Sequence, residues 1–287
     1  MRTLFVTAAD EAYFPLLEDL IRSLHQWETS PFTDLACFDL GLAPNNRASI
    51  ARHVSHLIEP GWDLLVDEDL RAKVPALRAL TVRPFLPRYF PGYDVYLWID
   101  ADTWVQERFA LEWYIGSAVQ GLLGAVPHFH VAYRKPPEVL RGRARRMQAY
   151  FGVEAAEQFR WDMYLNAGVF ALRSDAPHWA LWAKSFASGL AATHGKLCCD
   201  QTALNHAVWG ENLPVKPLPA LCNWLCHLAL PEFDLARRRF CEPGAPGHPL
   251  GILHLTAETK NRKVVLRAGS STRVISLRFP GIDRFTA

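Results

Sequence analysis

The 287-residue chain has no C-x-x-C pair; its six cysteines are Cys37, Cys198, Cys199, Cys222, Cys226 and Cys241. That spacing does not suit a zinc ribbon, and reduced, mostly buried thiols are expected rather than a disulfide framework. A strong excess of one charge is also missing. Thirty-one basic against 29 acidic residues leave a formal charge of +2, too small a basic excess for a dedicated DNA binder, so no nucleic-acid partner is expected. Long apolar runs are absent too. Leu4–Ala9 meets Asp10-Glu11 after only six residues, short of the core of a secretory signal. Trp113–Tyr133 lacks Asp, Glu, Lys and Arg, but Gln120, Gly121, Gly124, Pro127, His128 and His130 interrupt it. It suits a buried helix followed by a buried strand better than a membrane span. These absences lead to the expectation of a cytoplasmic protein with no transmembrane segment, peripheral membrane association remaining compatible. No internal repeat or low-complexity linker divides the chain.

What is present is material for a core: 50% of residues are hydrophobic and 12% aromatic, which excludes disorder. Thr3–Thr7 and Leu35–Leu40 have the pattern of strands. Between them, Phe14, Leu17, Leu20, Ile21 and Leu24 recur at helical spacing within Glu11–Trp27. Asn46–Leu57 is expected as a helix closed by Pro60-Gly61, and Val74–Phe90 as a helix interrupted by Pro84 and Pro87. Asp94–Ile99 is apolar enough for the middle of a sheet. A helix (Glu107–Val119), a strand (Leu122–Val126), a basic helix (Pro137–Phe151) and a strand (Ala167–Leu172) follow. Helices are then expected over Ala176–Ala192 and Asp200–Trp209, and loops with short elements over Gly210–Pro249. Gly251–Leu255 is a short buried strand, and Val264–Arg267 with Thr272–Arg278 form a hairpin around Ala268-Gly269-Ser270-Ser271. Alternating strands and helices imply an α/β layer with parallel strands. One domain with a C-terminal appendage is the economical organisation.

The strongest chemical signal is Trp98-Ile99-Asp100-Ala101-Asp102-Thr103. Two carboxylates stand where an apolar strand ends, at the sheet edge where open α/β sheets bind ligands. Along an extended strand, Asp100 and Asp102 would face the same way. Such a pair suits a hard divalent cation that also holds phosphate oxygens. A strand-end pair capping the next helix is the bland alternative. Around it, Phe5-Val6-Thr7-Ala8-Ala9-Asp10-Glu11-Ala12-Tyr13 opens the chain and Leu165-Asn166-Ala167-Gly168-Val169-Phe170 follows. Cys199-Asp200-Gln201-Thr202-Ala203-Leu204-Asn205 comes next, and His254 precedes Lys260 by six residues.

This ordered set, spanning Thr3 to Lys260, resembles the retaining sugar-nucleotide glycosyltransferases of family 8, the glycogenin-like and lipopolysaccharide galactosyltransferase-like enzymes. The resemblance implies a GT-A (Rossmann-like) fold: a mixed, mostly parallel central sheet flanked by helices over residues 1–260, with a C-terminal β-hairpin appendage over 261–287. It implies a UDP-sugar donor and Mn²⁺, with Mg²⁺ as the alternative. Asp100, Asp102 and His254 would be the metal ligands. Thr7, Ala8, Asp10 and Tyr13 would hold the base and ribose, Asp10 at the uracil edge and Tyr13 on its face. Ala101 falls between the paired acids, and Arg83 would face them or the diphosphate. Asn166 and Gly168 would back the hexose, Asp200 and Gln201 would shape its reactive face, and Lys260 would neutralise the departing phosphate. Asp200 is also placed to cap a helix. The family's usual Gly between the His and the Lys is Ala257 here, and the aromatic after the Lys is replaced by Asn261-Arg262. No catalytic base is assigned. The acceptor, whether glycan, lipid-linked or protein, is not identified, and a homo-oligomer stays open.

Two rival classes remain. A nucleotidyltransferase is disfavoured by the acidic, Gly-free Ala8-Ala9-Asp10-Glu11 loop, and an inverting transferase is to be told apart by the anomer of the product. A silent sugar-nucleotide-binding module is disfavoured by the intact acids, His254 and Lys260. Arg134-Lys135 and Arg141-Gly142-Arg143-Ala144-Arg145-Arg146 are a solvated helix face or, second, a surface for an anionic acceptor or a membrane. His128-Phe129-His130 alternates like a strand with both imidazoles on one face, a weak candidate for a second metal, and Asn223-Trp224 lines an acceptor cleft or the core.

Overall fold

The computed structural model describes residues 1–27, 33–245, 247–268 and 271–279. Its strands, in chain order, are β1 (Thr3–Ala9), β2 (Thr33–Asp39), β3 (His56–Ile58), β4 (Val95–Ile99), β5 (Thr103–Val105), β6 (Leu123–Pro127) and β7 (Leu165–Arg173). They continue as β8 (Val215–Pro217), β9 (Trp224–Leu225), β10 (Glu232–Asp234), β11 (Arg239–Cys241), β12 (Ile252–His254), β13 (Lys263–Ala268) and β14 (Ser271–Ser276). The central sheet has the order β3-β2-β1-β4-β7-β6-β8. Its neighbours pair parallel, except that β7 runs antiparallel to both β4 and β6. The architecture is therefore mixed α/β, mostly parallel.

Every residue of β4 is buried, as an apolar strand between β1 and β7 must be. Alternation divides its side chains between two cores. Leu4, Val6, Tyr96, Trp98, Phe170 and Leu172 face Trp182 and Phe186 of the helix His178–Ala192. Phe5, Leu97, Ile99, Val169 and Ala171 face Leu111 and Tyr114 of the helix Phe109–Val119. Each such large side chain contributes about 1.5–3 kcal/mol by leaving water.

Three expectations are corrected. The helix expected over Asn46–Leu57 stops at Ile50, and His56–Ile58 becomes the edge strand β3, pairing Ala36↔His56 through Phe38↔Ile58. Ladder pairing with β2 outweighs the local helical period there. The segment Val74–Phe90 is not one kinked helix but short turns, Pro75–Leu77, Arg78–Val82, Arg83–Phe85 and Leu86–Tyr89, because each proline removes a helical donor. The basic helix runs on to Gln158, with Gly152 at φ 89° and ψ 174° joining two helical pieces.

A second, three-stranded sheet, β5-β12-β9, lies beside the end of β4. β13 and β14 pair antiparallel as the expected hairpin, while Gly269 and Ser270 at its tip lie outside the described residues. Beyond the ladder, Leu277 is buried with Trp104, whose indole N–H donates to Leu277 O at 2.8 Å, and Arg278 pairs with Asp19. All six cysteines are free thiols. No helix among the described residues is long and apolar enough to cross a membrane.

Candidate active site

β4 ends at Ile99, and the chain turns at once. Gly168 O accepts from Asp100 N at 2.8 Å, and Asp100 O accepts from Thr103 N at 3.1 Å. The two acids thus meet through a turn rather than by strand alternation. They cap no helix, because β5 follows.

His254 arrives from far along the chain. β12 pairs antiparallel with β5 in the register His254↔Thr103, which sets the imidazole against the turn. Its Nε2 lies 3.2 Å from Asp102 Oδ1 and 3.7 Å from Asp100 Oδ2. One ligand atom from each of the three residues falls within 4.8 Å of the others.

A chain of amides fixes the imidazole's orientation. The Gly168 N–H donates to Asn166 Oδ1 at 2.8 Å, which identifies that end of the amide as oxygen. Asn223 Nδ2 donates to the same oxygen at 2.9 Å, so Asn223 turns its own Oδ1 to His254 Nδ1 at 3.0 Å. Nδ1–H is therefore the donor to Asn223, and Nε2 is the nitrogen turned toward the carboxylates, the orientation a metal-ligating histidine requires. Gly168 leaves the space open: a Cβ there would lie 2.5 Å from His254 Cε1 and 2.6 Å from Asp100 Oδ2. Two carboxylates and an oriented imidazole around a gap fit a divalent cation.

Cations flank the acids. Arg83 is buried, its guanidinium bridging Asp100 and Asp200 and lying 4.7 Å from the Trp98 ring centroid. It is a buried clamp rather than a solvated helix charge. Asp200 spends its carboxylate on this clamp and caps nothing, although it is the first residue of the helix Asp200–Gly210. Lys260 reaches Asp102 Oδ2 at 2.9 Å and stands 5.4 Å from the Tyr13 ring centroid. Burial pushes both acids of the turn upward. At Asp100 that push prevails over Arg83 and His254, whereas at Asp102 the fields of His254 and Lys260 outweigh it and hold the carboxyl at about 2.

Next to this centre, Gln201 Oε1 accepts from Ala167 N at 3.0 Å and from Asn166 Nδ2 at 3.2 Å. Asn166, Gly168, Asp200 and Gln201 are therefore one neighbourhood. Ala8, Asp10, Tyr13, Arg83, Asp100, Ala101 and Asp102 line a single cleft of about 270 Å³. Asp10 Oδ1 also accepts from Tyr13 N, shaping the turn that presents the ring. Thr7 is fully buried within β1 and is not part of that lining. Ala257 adopts φ +52°, the left-handed conformation that glycine takes most easily, and its carbonyl lies 3.3 Å from Lys260 Nζ.

Sequence reasoning missed the far wall of the cleft, Val74, Ala76, Leu77, Ala79 and Leu80. The spacing of Ala76, Ala79, Leu80 and Arg83 was the signal available, a three-and-four repeat leading to the clamp arginine. It also missed the buried role of Asn223, while Trp224 belongs to the core. The two imidazoles of His128-Phe129-His130 do not share a face: His128 meets Asn166 and Arg143, and His130 pairs with Glu242. Among the described residues only Asp100, Asp102 and His254 form a metal-ligating group.

No family model matches the chain, and no curated protein matches it either. Solved structures do match. The galactosyltransferase LgtC, in complex with donor and acceptor sugar analogues, is 17% identical with a TM-score of 0.55 over 89% of this chain and 88% of that one. An active-site mutant of LgtC is 15% identical, with a TM-score of 0.53 over 88% of this chain and 87% of that one. The apo bifunctional glycosyltransferase WbbM is 17% identical, with a TM-score of 0.56 over 89% of this chain but only 46% of its own. At such identities the likeness establishes the fold, which is the GT-A fold of these glycosyltransferases.

Proposed function

We propose that the chain is a retaining glycosyltransferase that uses Mn²⁺ to move a hexose from a UDP-sugar to an acceptor. One observation carries this reading: Asp100, Asp102 and the oriented imidazole of His254 converge, and both acids line a cleft shared with Asp10 and Tyr13. Residues 1–260 would form the transferase body and 261–287 its appendage.

Asp100, Asp102 and His254 would hold the cation, and a mixed oxygen and nitrogen set suits Mn²⁺ better than Mg²⁺. When bound, the cation supplies positive charge against the diphosphate. The chain's own residues supply the rest. Tyr13 offers a stacking face and Asp10 an acceptor for the base, with the apolar 74–80 wall excluding water. Arg83 and Lys260, now balanced by carboxylates, are the charges that would meet the departing diphosphate. Asn166, Asp200 and Gln201 would fix the hexose so that the acceptor attacks the face the diphosphate leaves, which needs positioning more than a protein base.

Calorimetry of UDP with and without Mn²⁺ tests the reading. Metal-dependent binding is expected in the wild type, and its loss in Asp102→Ala. A panel of UDP-sugars monitored for UDP release, with NMR of the product anomer, tests the donor and the retention. UDP binding indifferent to metal would overturn the proposal.

A further inference from the structure

We propose that Arg143, Arg146 and Lys135, together with His128, form a subsite for a phosphate group carried by the acceptor. The inference rests on the glycosyltransferase reading above and names the class of acceptor.

The arginines of the basic helix are not alike. Arg141 is exposed and pairs with Glu138, and Arg145 is exposed. Arg143 and Arg146 are half-buried, and neither has a carboxylate partner among the described residues; nor has Lys135. Elsewhere, Arg78 is matched with Glu59, Arg83 with Asp100 and Asp200, and Arg278 with Asp19, while Arg71, also half-buried, lies over the Trp62 ring and donates to Leu64 O instead. What sets Arg143 and Arg146 apart is that they stand together, with Lys135 beside Arg143. Withdrawing a guanidinium from water without a counter-charge is unfavourable. Burial, with the neighbouring Arg146 charge, pulls the Arg143 pKa down, and burial with the Arg143 charge does the same at Lys135. The Nε of Arg146 is buried without a hydrogen-bond partner among the described residues.

The hydrogen bonds of His128 point the same way. Arg143 Nη2 lies 2.7 Å from His128 Nδ1, and Asn166 Nδ2 lies 3.1 Å from His128 Nε2. Both neighbours are donors, because the Asn166 oxygen is identified by the Gly168 amide. A neutral imidazole has one acceptor nitrogen, so it satisfies only one of them. Burial, reinforced by Arg143, keeps this ring's pKa well below the ordinary histidine range. An oxyanion resolves the conflict: Arg143 turns to it, Nδ1–H donates to it, and Nε2 goes on accepting from Asn166. The Tyr164 ring, 4.4 Å from the Arg143 guanidinium, is a platform along which that fork can swing. Through Asn166 the subsite adjoins the hexose pocket, where an acceptor must lie.

The test is titration of the metal-free protein with glucose 6-phosphate and with glucose at low salt. Wild type, Arg143→Gln/Arg146→Gln and Lys260→Gln are compared, with UDP plus Mn²⁺ as a separate control. Glucose 6-phosphate is expected to bind where glucose does not, and the double variant to weaken it about tenfold or more while keeping UDP binding. Lys260→Gln is expected to leave the sugar phosphate affinity within about twofold. Equal binding by wild type and double variant, or loss only in Lys260→Gln, would overturn the subsite. So would binding to anionic phosphatidylglycerol vesicles, lost in the double variant, with no glucose 6-phosphate signal; that places the phosphate in a membrane. Failure of the UDP control in the wild type would instead strike the transferase reading. If the double variant melts early, Lys135→Gln carries the same comparison.

Discussion

Gly168 and Ala257 show how much of the site depends on single backbone positions. A methyl group on Gly168 would meet His254, Asp100 and, at 2.9 Å, Asn166 Oδ1. None of these can retreat without breaking the amide relay or the acidic turn. Gly168→Ala is therefore expected to fold but to lose the stabilisation that Mn²⁺ gives the wild type, read as a thermal shift with and without the metal. A variant that keeps the full metal-dependent shift would show that the three ligands do not act together. Ala257 presents the opposite case, a side chain in a backbone slot made for glycine, with φ +52°. Left-handed backbone costs an L-residue roughly 1–2 kcal/mol, and glycine's extra freedom in the unfolded chain returns about 0.5–1 kcal/mol of that. Ala257→Gly should thus raise stability by about 0.5–1 kcal/mol in urea denaturation. A loss of stability would mean that the loop is not strained at this residue.

Between elements, the closest fit lies where Tyr150 of the basic helix rests on Gly189 of the helix His178–Ala192. A Cβ on Gly189 would lie 2.1 Å from Tyr150 Cδ2 and 2.5 Å from its Cγ. The phenol donates to Leu197 O at 2.6 Å and accepts from Cys199 N at 2.8 Å, pinning the approach to Asp200. Gly189→Ala should cost about 1–3 kcal/mol by overpacking and, by moving the Asp200 helix, weaken UDP binding; unchanged unfolding in urea would refute this. Such contacts set the limit of what the sequence reveals. The buried strand β4, the acids that end it and most of the alternation of strands and helices are legible in local pattern, while the edge strand β3 is masked by a helical period. His254 could be placed only by family resemblance, since nothing local says that β12 pairs with β5. Asn223 acts through a buried amide relay and leaves no pattern at all. The proline-broken 74–90 segment shows the same limit: its apolar spacing is visible, but not that it builds a cleft wall.

At the scale of the whole molecule, pH couples to stability through buried imidazoles. His178 is fully buried, Nε2 donates to Pro214 O at 3.1 Å, and Nδ1 has no partner among the described residues. Burial pulls its pKa down to about 4, against about 6.5 in an unfolded chain. The unfolded state therefore binds the proton more readily, and stability must fall as the solution is acidified. The contribution is complete above about pH 6.5 and is lost progressively as pH drops towards 4, at up to about 1.4 kcal/mol per pH unit. Over that window the loss is about 3 kcal/mol, a large share of the 5–15 kcal/mol typical of a folded domain. His128, also buried and shifted downward, adds to the same slope. Asp102, held at about 2 by His254 and Lys260, acts in a separate window, losing its contribution only below about pH 4. Urea denaturation at a series of pH values should therefore show stability declining between pH 6.5 and 4. His178→Gln, which keeps an amide donor for Pro214 O but cannot take up a proton, should reduce that slope by nearly one proton; an unaltered slope would mean that His178 is charged in the folded protein or does not contribute.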